Sequence, residues 1–160
     1  MTSWLESQFS LTGKKALVTG SSKGIGASIA QALAQAGADI VLVGRTKDSL
    51  EATKSAIINI GRKVEIILCD VSSADAIKEA FSDIAALKVD ILINNAGSIS
   101  RAPAAEAQME EWNRIIETNL NSVFQISQAC GRAMIAQGAG TCVGQRRSGV
   151  SRRPARSHGQ

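Results

Sequence analysis

The run Ala16-Leu17-Val18-Thr19-Gly20-Ser21-Ser22-Lys23-Gly24-Ile25-Gly26 passes from a short apolar segment into a glycine-rich turn, and a helical pattern starts inside that turn. Ile25, Ile29, Leu33 and Ala36 recur at helical spacing, and Gly37 follows at the expected end of the helix. A strand, a tight turn and a helix in succession bring backbone N–H groups and the positive end of a helix dipole to one point, which suits an anion such as a pyrophosphate. Gly20 allows the sharp turn, Gly24 a close approach of that anion to the backbone, and Gly26 close packing of helix on strand. Glycines incidental to an ordinary strand-helix turn are the plain alternative. The rest of the chain weighs against it.

Further apolar runs follow at Ile40-Val41-Leu42-Val43, Val64 to Cys69 and Val89 to Ile93. They are continuous and rich in β-branched residues rather than alternating, as expected for strands covered on both faces. Leu50, Lys54, Ile57 and Ile58 before Gly61 predict a second helix. Ser72-x-x-Asp75, a near capping box, opens a third that carries Ile77, Phe81 and Ile84. Four strands alternating with three helices predict an α/β fold, a Rossmann-type doubly wound parallel sheet. A loop from Asn94 to Ala105 leads into a long helical stretch, about residues 106 to 136. Its apolar side comprises Met109, Trp112, Ile116, Leu120, Val123, Phe124, Ser127 and Cys130. From Thr141 to Gln160 no apolar period is visible, and Arg, Ser and Gly dominate. The expected division is a dinucleotide-binding domain over 1–140, incomplete, and an Arg-rich tail over 141–160 without native-like structure.

Charge follows the same division. The chain of 160 residues carries a net +4, yet residues 1–140 hold 13 cations against all 14 acids, a net of −1. The five remaining Arg lie in the last 20 residues, so the basic character belongs to the tail and not to the domain. Cys69, Cys130 and Cys142 are odd in number and lack metal-ligand spacing, so no metal site is expected and a reduced, cytoplasmic chain is the economical expectation. Neither a signal-peptide pattern near the start nor a run of about 18 apolar residues occurs, which leads us to expect neither secretion nor a membrane span.

The turn has the form Thr-Gly-x-x-x-Gly-x-Gly. Together with Asp70-Val71 closing the third strand and Asn94-Asn95-Ala96-Gly97 closing the fourth, it closely resembles the short-chain dehydrogenase/reductase family over about Leu11 to Gly140. The resemblance implies an oxidoreductase interconverting a secondary alcohol and a ketone with a nicotinamide cofactor. Carried over by position, Gly20, Ser22, Lys23, Gly24, Ile25 and Gly26 would line the phosphates and ribose. Asp70 and Val71 would meet the adenine, and Asn94, Ala96 and Gly97 would form the floor beside ribose and nicotinamide. At the end of the second strand, Gly44-Arg45-Thr46 stands where an acid would accept hydrogen bonds from a 2′-hydroxyl and repel a 2′-phosphate. Arg45 and Lys23 beside one ribose favour NADP(H), with NAD(H) the alternative if both are merely solvated surface charges.

Asn119 occupies the position at which the family places an Asn that kinks the long helix and holds a water of the proton relay. Its partners in the family are a Ser that orients the carbonyl and a Tyr-x-x-x-Lys, in which Lys lowers the pKa of the Tyr that exchanges the substrate proton. This sequence contains no Tyr, and its last Lys is Lys88. Family spacing would bring the Ser and Tyr near Val143 and Arg156, neither of which fits; Ser148 and Ser151 have no neighbouring base. The chain as given is therefore expected to bind cofactor without turnover. An Arg, Gly, Ser and Pro mixture without acids is what a GC-rich coding sequence yields out of frame, so a frameshift near residue 140 is the expected origin of the tail. A downstream frame encoding a Ser and a Tyr-x-x-x-Lys would bear this out. Strands five to seven are expected to be missing, which would leave the fourth strand at a sheet edge and the product prone to aggregate.

The segment Asn94 to Ala105, with Glu111-Trp112 and Met134 to Gly138, resembles the sugar-acid branch of the family, and Arg101 is a candidate carboxylate contact. A 3-oxoacyl carrier-protein reductase-like fragment and a noncatalytic nucleotide-binding module are the alternatives. Family members are homo-oligomers built partly on the long helix, and half of that interface would be lacking here. Nucleic acid is a poor partner for a slightly acidic domain with no aromatic-interleaved basic face.

Overall fold

The computed structural model describes residues 4–144. A short helix, α1 (Trp4–Phe9), precedes the first strand, β1 (Lys15–Thr19). Then follow α2 (Gly24–Gln35), β2 (Asp39–Gly44), α3 (Lys47–Asn59), β3 (Val64–Leu68) and α4 (Ala74–Ala80). A 3-10 turn (Ile84–Leu87) leads into β4 (Ile91–Asn94), and α5 (Met109–Ile116), α6 (Ser122–Gln137) and β5 (Thr141–Gly144) complete the order. The strands form one parallel sheet in the order β3-β2-β1-β4-β5. The chain thus reverses direction across the sheet at β1, where a crevice opens between the turns leaving β1 and β4.

Both faces of the sheet are covered, and successive residues of one strand serve different cores. Ala16 and Val18 of β1, with Ile40 and Leu42 of β2, pack under Ala30 and Ala34 of α2 and Leu50 and Ile57 of α3. Leu17, Val41, Val43 and Leu92 pack on the other side with Ile77 of α4 and Ile126, Cys130 and Met134 of α6. This double cover is why the strand sequences read as continuous apolar runs.

The structure departs from expectation in four places. The sheet does not stop at β4: Thr141–Gly144 adds a fifth parallel strand, with Leu92 opposite Cys142 and Ile93 opposite Val143. Its four residues are all exposed, and it is held by the open backbone edge of β4, starting with Thr141 N–H donating to the Asp90 carbonyl at 2.9 Å. Four residues including Gly144 give too short an apolar signal to be seen in sequence. The rest of the tail, residues 145–160, lies outside the described residues.

Secondly, the buried face of α2 is one residue out of phase with its large apolar residues. Gly26, Ala27, Ala30 and Ala34 face the sheet, while Ile25 is exposed and Ile29 and Leu33 lie at the margin. Small residues win because the helix starts pressed against the end of β1. Thirdly, Ser73 rather than Ser72 caps α4, its hydroxyl accepting from Ala76 N–H. Fourthly, the stretch at 106–136 is two helices joined by a π-helical segment, Glu117–Asn121. The extra residue in that turn rotates the face: Ile126, Cys130, Ala133 and Met134 are buried, whereas Met109, Trp112, Leu120 and Phe124 are exposed.

Candidate cofactor cleft

At the carboxyl ends of the strands lies a cleft of about 380 Å³. Its walls include Gly20, Ser22, Lys23, Ile25 and Gly26 from the first turn, Gly44 and Arg45 at the end of β2, Cys69 to Ser72 after β3, and Asn95 to Ser98 after β4; Arg114 and Thr118 line it as well. Ten of the twelve candidate cofactor residues thus meet in one place: Gly20, Ser22, Lys23, Ile25, Gly26, Arg45, Asp70, Val71, Ala96 and Gly97.

The two others have different tasks. Gly24 stands outside the wall with a φ of +58° and open space where a side chain would be, so it is required by backbone conformation and not by close approach of a ligand. Asn94 is buried and donates from Nδ2 to the Ser127 hydroxyl at 2.9 Å, bracing β4 against α6. Its neighbour Asn95 is the one that lines the cleft, and the sequence alone did not single it out.

Asn95 and Thr19 form the latch that shapes the floor. The Thr19 hydroxyl accepts the backbone N–H groups of Asn95 and Ala96, each at 3.0 Å, while Asn95 Nδ2 donates to the carbonyls of Thr19 at 3.0 Å and Gly20 at 3.2 Å. This draws the turn after β4 onto the turn after β1. Gly26 lies directly beneath it, where a Cβ would stand 2.5 Å from Asn95 Nδ2. The Thr before Gly20 and the Asn-Asn doublet are the sequence signals that could have revealed the latch. Ser21 performs a similar task sideways, accepting Val43 N–H at 3.0 Å.

The first turn leaves its helix end without a partner from its own side chains. Residue 23, at the start of α2, makes no side-chain cap, and the first turn of α2 contains no acid. An α-helix begins with backbone N–H groups that lack intrahelical acceptors, and here they stand at a cleft wall beside Lys23. That arrangement fits the diphosphate of a dinucleotide. Arg45 is largely exposed and reaches only 4.0 Å from Asp70 Oδ2, which leaves its guanidinium available at the end of β2.

Across the cleft, Asp70 Oδ1 accepts from both the Ser72 N–H at 2.9 Å and the Ser72 hydroxyl at 2.7 Å. Burial pushes the Asp70 carboxyl up, but those two donors and the Arg45 guanidinium outweigh it and hold the group below its ordinary 3.8. It is an ionised acceptor at neutral pH. Beside it, burial and then the Asp70 charge raise the Cys69 thiol to about 11, so Cys69 forms a wall and not a nucleophile. The Asn119 side chain is bonded to Ser98: Oδ1 accepts the Ser98 N–H at 2.8 Å, and Nδ2 donates to the Ser98 carbonyl at 2.7 Å. It sits in the π segment and ties the loop after β4 to the helix. Arg101 is exposed in that loop and does not border the cleft. Among the described residues no cluster of His, Cys, Asp and Glu could hold a metal ion, and no helix is long and apolar enough to cross a membrane.

A parallel sheet ordered 3-2-1-4-5, with a glycine turn and an uncapped helix at its switch point, defines a Rossmann-type α/β protein. The sequence pattern of the short chain dehydrogenase family matches residues 14–146, and the chain belongs to that family. It is 42% identical over 140 residues to gluconate 5-dehydrogenase of Gluconobacter oxydans, covering 84% of this chain and 54% of that protein. It is 44% identical over 142 residues to 2-dehydro-3-deoxy-D-gluconate 5-dehydrogenase of Pseudoalteromonas atlantica, covering 85% and 55%. Among solved structures it is similar to an NAD(P)-dependent gluconate 5-dehydrogenase of Beutenbergia cavernae with bound NADP, with a TM-score of 0.81, 37% identity, and 85% and 55% of the two chains covered. The chain therefore spans about half the length of these relatives.

Proposed function

We propose that this chain is the cofactor-binding part of an NAD(P)-dependent oxidoreductase that interconverts a secondary alcohol and a ketone on a sugar acid. The observation that carries the reading is the uncapped start of α2 at the cleft wall, flanked by Lys23 and with Arg45 at the neighbouring strand end. In this reading the first turn and Lys23 take the diphosphate, and Arg45 takes a 2′-phosphate, which makes NADP(H) the preferred cofactor over NAD(H). Asp70 and Val71 receive the base, and Ala96 and Gly97 border the ribose and nicotinamide. When bound, the nicotinamide ring supplies or accepts the hydride. The sugar-acid assignment follows from the two dehydrogenases to which the chain is most usefully compared.

For this sequence we infer binding without turnover. It contains no Tyr, and no Lys beyond Lys88, so no phenol lowered by an ammonium is at hand to exchange the substrate proton. The cofactor domain is taken as residues 1–140, to which β5 adds one further strand. Titration of the purified chain with NADPH and NADH, read by the fluorescence of the reduced nicotinamide, tests the reading. Saturable one-to-one binding with NADPH the tighter is expected, and no oxidation of gluconate should accompany it. Tighter NADH binding would overturn the cofactor preference; gluconate-dependent reduction of NADP would overturn the inference of binding without turnover.

A further inference from the structure

We propose that Cys130, Met134 and Cys142 form a three-sulfur site for a soft monovalent metal ion, Cu(I), at the junction of α6 and β5. None of the three lines the cleft, and the turn between the two elements brings them together. Gly138 ends α6 with a φ of +75°, and the Ala139 N–H donates to the Met134 carbonyl at 3.2 Å. Gly140 then passes so close to the Met134 side chain that a Cβ there would overlap it. β5 therefore turns back against the helix, and the Cys142 thiol meets Met134 Sδ at 3.8 Å. Cys130 stands one helical turn before Met134, on the same buried face. It is near enough to Cys142 for the charge of one sulfur to act on the other.

Three sulfurs sharing one ion in a plane, each at about 2.3 Å, stand about 4 Å apart, and Cys142 and Met134 already have that separation. Thiolate and thioether donors without a carboxylate or imidazole favour a soft ion over harder ones such as Mg²⁺ or Ca²⁺. One donor is a thioether, so the site is not one of the His, Cys, Asp and Glu clusters that the described residues lack. Cys142, exposed on the outermost strand, is the point of entry, while Cys130 and Met134 are buried. Burial, and then the charge of Cys142, pushes the Cys130 thiol up to about 12, so the metal must displace its proton. Both S–H protons leave to solvent as the two Cu–S bonds form, the thioether adds a lone pair, and the loaded site carries one net negative charge. Bound metal fastens β5, which the β4 edge otherwise holds, to the buried face of α6.

The test titrates the full chain, reduced and under nitrogen, with Cu(I) against a chromophoric Cu(I) chelator, the fold of each variant being checked by far-UV circular dichroism. One Cu(I) per chain is expected, with a rise in the thermal midpoint, since an ion bound only by the folded chain stabilises it. Cys142→Ser, on an exposed strand, should lower the affinity about a hundredfold, and Met134→Leu, which keeps volume and apolarity, about tenfold. X-ray absorption of the loaded chain should show three sulfurs at about 2.3 Å from the copper, a readout that needs no variant to fold. No stoichiometric binding, or binding unchanged by Cys142→Ser, overturns the proposal. Two sulfurs rather than three, or an affinity unchanged by Met134→Leu, also overturns it, as does displacement of the bound copper by equimolar Zn(II).

Discussion

The two ends of the same sheet treat their charged and polar groups in opposite ways. At the amino end of the strands opposite charges pair with one another. Arg62 pairs with Asp39 at 2.7 Å, Lys15 with Glu65 at 2.6 Å and Lys14 with Asp90 at 3.2 Å, while Asp90 also accepts the Lys15 N–H. At the carboxyl end partners are withheld: α2 starts without a side-chain cap, among the described residues no acid lies within ion-pair distance of Lys23, and Arg45 stands back from Asp70. The contrast is purposeful in physical terms. Groups that must hold the fold are paired within it, and under the proposed reading Lys23, Arg45 and the start of α2 are left open to meet the cofactor.

The largest effect that would break this picture concerns the packing that keeps the carboxyl end open. Gly26→Ala places a methyl group against Asn95 Nδ2 and the Gly20 carbonyl, neither of which can yield without undoing the latch. A loss of about 3 kcal/mol in urea unfolding is expected. A loss below about 0.5 kcal/mol would show that the turn is looser than described. Next, Thr19→Val removes the acceptor of two backbone N–H groups and should cost about 2 kcal/mol in the same measurement.

Substituting the withheld cations should separate ligand binding from stability. Arg45→Ala is expected to lower the NADPH affinity about tenfold while leaving that for NADH and the thermal midpoint nearly unchanged. Arg62→Ala, at the opposite end, should do the reverse, costing about 1 kcal/mol of stability for a half-buried pair and nothing in cofactor affinity. Equal effects of both variants on affinity would erase the distinction between the two ends. The smallest effect concerns acid. Because the Asp70 carboxyl lies below 3.8 in the folded chain, its contribution to stability is present above that value and is lost as the pH falls through its lowered folded value. Asp70→Asn should therefore lower stability a little above about pH 4, where that contribution is present, and flatten the acid limb below it.

Much of this is legible in the sequence. The strands announced themselves because double cover demands continuous apolar runs, and the three motifs at successive strand ends located the cleft. What escaped did so for identifiable reasons. The helix period pointed to Ile25, Ile29 and Leu33, but closeness to the strand end gives the contact to Gly26, Ala27 and Ala30. Ser72 and Ser73 are equivalent as letters, and only the path of the turn assigns one to Asp70 and the other to α4. Asn94 and Asn95 are likewise alike, and the alternation of a strand end sends one to α6 and the other to the cleft. β5 is too short to carry a pattern and exists through the edge it joins.

By itself, then, the sequence determined the order of strands and helices, the Rossmann-type fold class and the absence of a Tyr, since periodicity, glycine placement and composition are local properties. Tertiary structure alone determined which member of each adjacent pair meets the cleft, how far the sheet extends and where partners are withheld. Those depend on contacts between residues far apart in the chain, such as Thr19 with Asn95 and Asp90 with Thr141, which no local pattern encodes.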